Sequence, residues 1–231
     1  MALYVIADLH LSFGADKPME IFSGWDNYVE RLSENWHKKI KETDMVVLPG
    51  DISWGMDLSG AEKDFAFIDA LPGEKILLKG NHDYWFTTKK KTEAFWAEKG
   101  FSTLRMLFNN AYFYRDVAIC GSRGWCNEPG QPADLKVLNR EAGRLAFSLE
   151  AAKGQTPKGH TPIVFLHYPP LYPSNMDNPF TRLLAAYSVG ECYYGHVHGP
   201  QISRAVTGLV NGINYRLISG DAVDFVPVRV L

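Results

Sequence analysis

The chain is short of cysteine, of net charge and of long apolar runs at its start, and each shortage removes a class of protein. Its three cysteines, Cys120, Cys126 and Cys192, are odd in number and lack CxxC spacing. They make no disulfide framework, and as buried filler they suit a reducing compartment. With 24 basic and 26 acidic residues the formal charge is −2. A balance this near zero supplies no extended nucleic-acid surface and no pull toward acidic membranes. An anionic substrate must then be held locally, by a metal or a few basic residues. The opening "MALYVIADLH" has no basic segment, and its apolar run is too short for a secretion signal or a membrane span. The expectation is a soluble, cytoplasmic protein whose oligomeric state the sequence leaves open.

What is present is enough apolar material for a sizeable core: 231 residues, 46% of them hydrophobic. There is no repeat, low-complexity segment or linker, so one domain over residues 1–231 is the simplest organisation. Short strands alternate with helical stretches, which argues for an α/β class. Strands are expected at Leu3–Ala7, Met45–Leu48, Lys75–Leu78, Ile163–Leu166 and Glu191–Tyr194. Trp25, Val29, Leu32, Trp36 and Ile40 recur at helical spacing, and core packing explains that stripe. Further helices are expected at Ala61–Leu71, Thr87–Lys99, Val137–Ala152 and Pro179–Ser188, with Lys89–Lys91 as a solvated face. A hairpin or a pair of strands is expected within 104–120, and the C-terminal strands suggest a meander.

The polar residues sit where the apolar runs stop. Asp8-Leu9-His10 follows the first strand, Gly50-Asp51 the second and Gly80-Asn81-His82-Asp83 the third. His167 follows the fourth, and Gly195-His196-Val197-His198 the fifth. Strand exits are where α/β sheets bind ligands, because strands fix the position of loops that are free to be polar. Five of the seven histidines lie in these exits; His37, in the amphipathic helix, and His160, in a Gly/Pro-flanked loop, read as structural or solvated. In an extended His196-Val197-His198 the two imidazoles would alternate and serve two adjacent ions.

The series "DLH … GD … GNHD … H … GHVH" from Asp8 to His198 resembles the calcineurin-like metallophosphoesterase superfamily. The resemblance implies a four-layer αββα sandwich of two mixed β-sheets flanked by helices, with two metal ions at the strand ends. It implies that Asp8, His10 and His198 hold one ion, that Asn81, His167 and His196 hold the other, and that Asp51 bridges them. His82 is then a catalytic general acid oriented by Asp83. Mixed imidazole, carboxylate and amide donors suit Mn, Fe or Zn better than magnesium. Two ions roughly 3.5–4 Å apart suit phosphoester hydrolysis, because together they generate hydroxide near neutral pH and steady both attacking and leaving oxygens.

The implied activity is hydrolysis of a small-molecule or nucleotide-like phosphomonoester or phosphodiester. Arg123, in "GSRGW", reads equally as a phosphate-binding residue or a loop arginine in an ion pair. Trp54, Tyr84, Trp85, Tyr168 and Tyr172 read as packing or as walls of a substrate pocket. "GDISW" departs from the "GDxVDRG" form of the protein serine/threonine phosphatases, which lowers that reading. The alternatives are a non-catalytic protein-binding scaffold on the same fold and, more remotely, a metal binder of unrelated fold.

Overall fold

The computed structural model describes residues 1–125, 134–155 and 161–231; Cys126 and His160 lie outside them. The chain forms two compact units, Met1–Met106 with Ile218–Leu231, and Leu107–Leu217.

In the first unit β1 (Leu3–Val5), β2 (Met45–Pro49), β3 (Glu74–Leu78) and β4 (Leu104–Met106) pair in parallel in that order. Residues Leu3, Val5, Val46–Leu48 and Ile76–Leu78 are fully buried, as expected for interior parallel strands covered on both faces. The crossovers are helices α1 (Tyr28–Lys39), α2 (Glu62–Ala70) and α3 (Lys89–Glu98). The aromatic stripe is core, as its spacing indicates: Trp25, Leu32, Trp36 and Ile40 are buried and Val29 is half-buried. His37 is exposed with Nδ1 2.8 Å from the Ser33 carbonyl, in keeping with a solvated reading.

One buried cation ties α2 to β3. The Lys75 ammonium donates to the carbonyls of Asp69 at 3.2 Å and Gly73 at 2.8 Å, and to that of Leu71. It thus satisfies the Asp69 and Leu71 carbonyls, which the end of α2 leaves without helical partners, and one carbonyl of the turn that follows. Burial lowers its pKa from 10.5 to about 8, against the opposing pull of Asp69, Glu42 and Glu74. Between those two values the unfolded chain keeps a proton that the folded chain has lost, so this group makes stability rise with pH. Urea unfolding at pH 7.5 and 9.5 is expected to show wild type gaining stability relative to Lys75→Met as pH rises. A constant difference between the two proteins would contradict the burial effect.

The second unit holds a six-stranded sheet in the order β5-β6-β7-β8-β10-β9. Its strands are β5 (Tyr112–Tyr114), β6 (Val117–Ser122), β7 (Thr161–Leu166), β8 (Glu191–Tyr194), β9 (Gly208–Val210) and β10 (Ile213–Leu217). β6, β7, β8 and β10 run parallel, and the antiparallel β5 and β9 close the edges. Helix α4 (Leu135–Gln155) lays Leu138, Leu145 and Leu149 into the core of this unit, and α5 (Pro179–Ala186) adds Phe180 and Leu184. A reciprocal cap between Asn178 and Thr181, with Pro179 in the first turn, starts α5 where the sequence predicts.

The hairpin expected within 104–120 is β5–β6, while β4 joins the first sheet. One expected pairing is corrected: the C-terminal strands are not a meander. β9 and β10 form a hairpin at Asn211-Gly212, with φ of 49° and 82°, as an NG turn requires. The last strand, β11 (Val228–Arg229), instead pairs antiparallel with β1. Packing explains the departure: Phe225 is fully buried against Trp25 and Tyr28, with ring centroids at 5.0 and 5.4 Å. Among the described residues no helix is long and apolar enough to cross a membrane.

Candidate metal centre

In the first unit the loops leaving β1 and β2 lock together through their backbones. Asp8 N donates to the Gly50 carbonyl at 3.0 Å, His10 N to that of Asp51 at 2.9 Å, and Leu11 N to that of Ile52 at 3.0 Å. To run this way the chain places Asp8, His10 and Asp51 in left-handed backbone, with φ of 58°, 44° and 51°. Such geometry costs a non-glycine residue on the order of 1–3 kcal/mol, and it clusters at functional sites. All three side chains are buried; a carboxylate oxygen of Asp8 and a ring nitrogen of His10 lie within 4.8 Å. His10 Nε2 is 3.7 Å from Asp51 Oδ2, and its ring stacks on Trp54 with centroids 5.2 Å apart.

The loop after β3 joins this arrangement. The backbone N–H of His82 donates to Asp51 Oδ1 at 2.8 Å. The His82 ring lies 4.4 Å from Trp54 and 5.7 Å from His10, centroid to centroid, with Nδ1 3.4 Å from the Tyr84 hydroxyl. Asn81 is half-buried beside it.

Asp83 does not orient His82, contrary to expectation. Its carboxylate accepts the backbone N–H groups of Asp51 (2.8 Å), Ile52 (2.8 Å), Ser53 (3.2 Å) and Gly80 (2.7 Å), and the indole N–H of Trp85 at 2.8 Å. Five backbone and ring donors occupy it because the loops after β2 and β3 both expose N–H groups with no ladder partner. Asp83 therefore holds together the backbone that carries Asp51 and His82. Burial, and secondarily the charge of Asp51, raise its pKa to about 6, although the backbone bonds pull the other way.

Gly80 has a reason the sequence did not show. A Cβ there would lie 2.1 Å from Asp51 Oδ1 and 2.3 Å from Asp51 N, so the two loops approach too closely for any side chain. Gly80→Ala is expected to cost about 1–3 kcal/mol by overpacking and to weaken metal binding through the displaced Asp51. A urea titration and metal analysis check this; an unchanged metal content would remove the second half of the expectation.

In the second unit His167 is fully buried at the exit of β7, and Gly195 N donates to its carbonyl at 3.1 Å. His196 has a φ of 71°, so the His196-Val197-His198 stretch is not extended and the alternation expected there does not apply. Ring nitrogens of His167 and His196 lie within 4.8 Å, their centroids 5.1 Å apart. Tyr168 packs on His196 at 4.2 Å. His198 is half-buried immediately before the short 3₁₀ turn Gly199–Arg204. A cavity of about 560 Å³ in this unit has His196 in its wall, with Tyr172 and Arg204 also lining it. Arg123 makes the ion pair that was one of its two readings, with Glu141 at 3.1 Å, and lies over the Trp125 ring.

The expected aromatics divide. Trp85 is core, fully buried and edge-on to Phe65 at 4.9 Å. Trp54 instead faces two histidines of the site, a role that its position directly after the Asp51 loop left open. Asp64 went unnoticed: buried, it accepts from the Ser53 hydroxyl and, at 2.8 Å, from Phe13 N, bracing the Asp51 loop.

The donor chemistry fits a metal. The first unit brings together two buried carboxylates and an imidazole, and the second two imidazoles. A nearby cation would relieve the burial of the Asp8 and Asp51 charges, which is otherwise costly. Such mixed N/O sets suit divalent transition ions. An α/β protein with mixed sheets and metal-donor side chains at its strand exits is thus the class that fold and site define. The sequence profile of the family described as calcineurin-like phosphoesterase matches residues 1–200, and the chain belongs to that family.

Solved structures agree on the fold. The chain is similar to the TT1561 protein of Thermus thermophilus (TM-score 0.62, 10% identity, covering 95% of this chain and 89% of that one). It is also similar to a protein of unknown function from Aquifex aeolicus (TM-score 0.55, 16% identity, 99% and 95% covered). A purple acid phosphatase from yellow lupin (Lupinus luteus) seeds aligns with a TM-score of 0.52 at 12% identity, covering 99% of this chain but 44% of that one. No curated protein matches. Family membership makes the chain a metal-dependent phosphoesterase in the general sense.

Proposed function

We propose that the chain, acting as one domain, hydrolyses a phosphomonoester or phosphodiester of a small, nucleotide-like molecule with the help of two metal ions. Asp8, His10 and His198 would hold one ion, Asn81, His167 and His196 the other, and the two oxygens of Asp51 would serve both. Mn, Fe or Zn fits these donors. When bound, such a pair supplies a hydroxide near neutral pH and offsets charge on the phosphoryl oxygens.

The protein's own residues do the rest. The locked loops after β1, β2 and β3 hold Asp8, His10 and Asp51 in place before any ligand arrives, so little reorganisation is needed on binding. The Asn81 amide and the His82 imidazole face developing negative charge. With Nδ1 directed toward Tyr84, Nε2 of His82 is the atom assigned to donate a proton to the leaving oxygen. Trp54, against both His82 and His10, fixes the ring and limits water on that side.

The observation that carries this reading is the buried, left-handed trio Asp8, His10 and Asp51 with the His82 ring beside it. The experiment is metal analysis combined with hydrolysis of bis-p-nitrophenyl phosphate. Chelation is expected to abolish turnover, and added manganese to restore it. A full metal complement with no turnover on any diester or monoester would favour the scaffold reading.

A further inference from the structure

We propose that Arg123, Arg140 and Arg144 form an anion subsite for a second negative group of the substrate, a phosphate or carboxylate separated from the scissile phosphate by an organic group of about nucleoside size. This rests on the phosphoesterase reading above for the identity of the scissile group.

Three guanidiniums converge on one oxygen. Glu141 Oε1 is 2.6 Å from Arg144 Nη1, 3.1 Å from Arg123 Nη2 and 3.4 Å from Arg140 Nε. Glu141 is fully buried and sits on α4, facing the exit of β6. Among the described residues of this cluster, three positive charges against one leave a surplus of two, in a chain whose overall charge is −2. Pinning α4 to β6 needs only one of these arginines. Each guanidinium carries five N–H donors in a fixed fork, far more than one carboxylate oxygen accepts. Arg123 Nε is buried and has no acceptor among the described residues. Arg140 and Arg144 are 52% and 30% exposed, so an anion from solvent reaches them.

Position links this cluster to the chemistry. β6 and β7 pair in parallel with Ser122 opposite Leu166, so Arg123 leaves its strand level with His167. Tyr168 N donates to the Arg123 carbonyl at 2.9 Å. From the arginines to the imidazoles the side chains run Arg123 over Trp125 (4.8 Å), Trp125 beside Tyr168 (5.6 Å) and Tyr168 on His196 (4.2 Å). Two aromatic rings thus lie between the positive surplus and the donor histidines. An anion at the arginines is therefore not the phosphate under attack but a second group farther along the same molecule.

The test compares two esters, thymidine 5′-(p-nitrophenyl phosphate) and the same compound carrying a 3′-phosphate. Wild type is expected to show a KM at least tenfold lower for the doubly anionic ester. In Arg140→Gln/Arg144→Gln the ratio of the two KM values is expected to approach one. The single variant Arg140→Gln, at a half-exposed position, is expected to move the ratio part of the way and guards against misfolding of the double variant. No preference in wild type, or a preference that survives in the double variant, overturns the subsite. If wild type hydrolyses neither ester with any metal, the phosphoesterase reading fails, and calorimetry on the metal-free protein then decides the subsite by itself. Tenfold tighter binding of thymidine 3′,5′-bisphosphate than of thymidine 5′-phosphate, lost in the variants, sustains it; equal binding overturns it.

Discussion

His82→Ala is expected to lower kcat on an alkyl phosphoester by about 10²–10⁴-fold, the range for loss of a positioned proton donor, while the metal content stays the same. The division follows from which atoms each role uses. The contact of residue 82 with Asp51 is made by the backbone N–H at 2.8 Å, and alanine retains it. The imidazole alone reaches toward Trp54 and Tyr84, so the substitution removes the proposed proton donor and leaves the backbone contact in place. An alkoxide leaving group needs that proton, whereas p-nitrophenolate is stable without it. The loss is therefore expected to shrink markedly on p-nitrophenyl esters. Metal analysis of the purified variant, beside kcat on the two kinds of ester, gives the answer. A variant that has shed metal would make His82 a ligand and overturn the assignment.

The second large effect is expected at Asp83, and in a different quantity. Removing its carboxylate leaves four backbone N–H groups and the Trp85 indole N–H without their acceptor in a fully buried pocket. Each stranded buried donor costs on the order of 1–3 kcal/mol, less whatever local relaxation recovers. Asp83→Ala is thus expected to lose at least about 3 kcal/mol of stability, read as a lower urea midpoint, and to bind metal poorly because the Asp51 loop is no longer anchored. Asp83→Asn keeps the volume and one acceptor oxygen but turns an amide N–H₂ toward backbone donors, so it is expected to fall between alanine and wild type. A residue that merely oriented His82 would behave otherwise: kcat would fall, with stability and metal content unmoved. That outcome would restore the role the sequence suggested.

Much of the site was legible because its chemistry is concentrated at strand exits. An apolar run that stops at Asp-x-His, Gly-Asp or Gly-Asn-His-Asp announces both a buried strand and the polar group it delivers. The elements were legible for the same reason, since burial on one face or both leaves a period in the sequence. The role of Asp83 was not legible: the resemblance implies a partner for His82, whereas its partners include backbone N–H groups from a loop some thirty residues away. Backbone donors leave no trace in residue type. Glu141 was passed over although Arg140 and Arg144 flank it on α4, because helical spacing shows possible neighbours but not the arrival of Arg123 from β6. The destination of β11 was equally hidden, since an edge strand's partner is set by where Phe225 buries.

By itself the sequence determined the family, the order of strands and helices, and the polar residues delivered at the strand exits. These depend on local periodicity and on side-chain chemistry, which are carried along the chain. Tertiary structure alone decided how those residues are held: Asp8, His10, Asp51 and His196 in left-handed backbone, Gly80 against Asp51, Asp83 as an acceptor for two loops, and three arginines on one carboxylate. Each of these depends on groups far apart in sequence meeting at short range, where excluded volume, unsatisfied N–H groups and charge repulsion are felt only after the chain has folded.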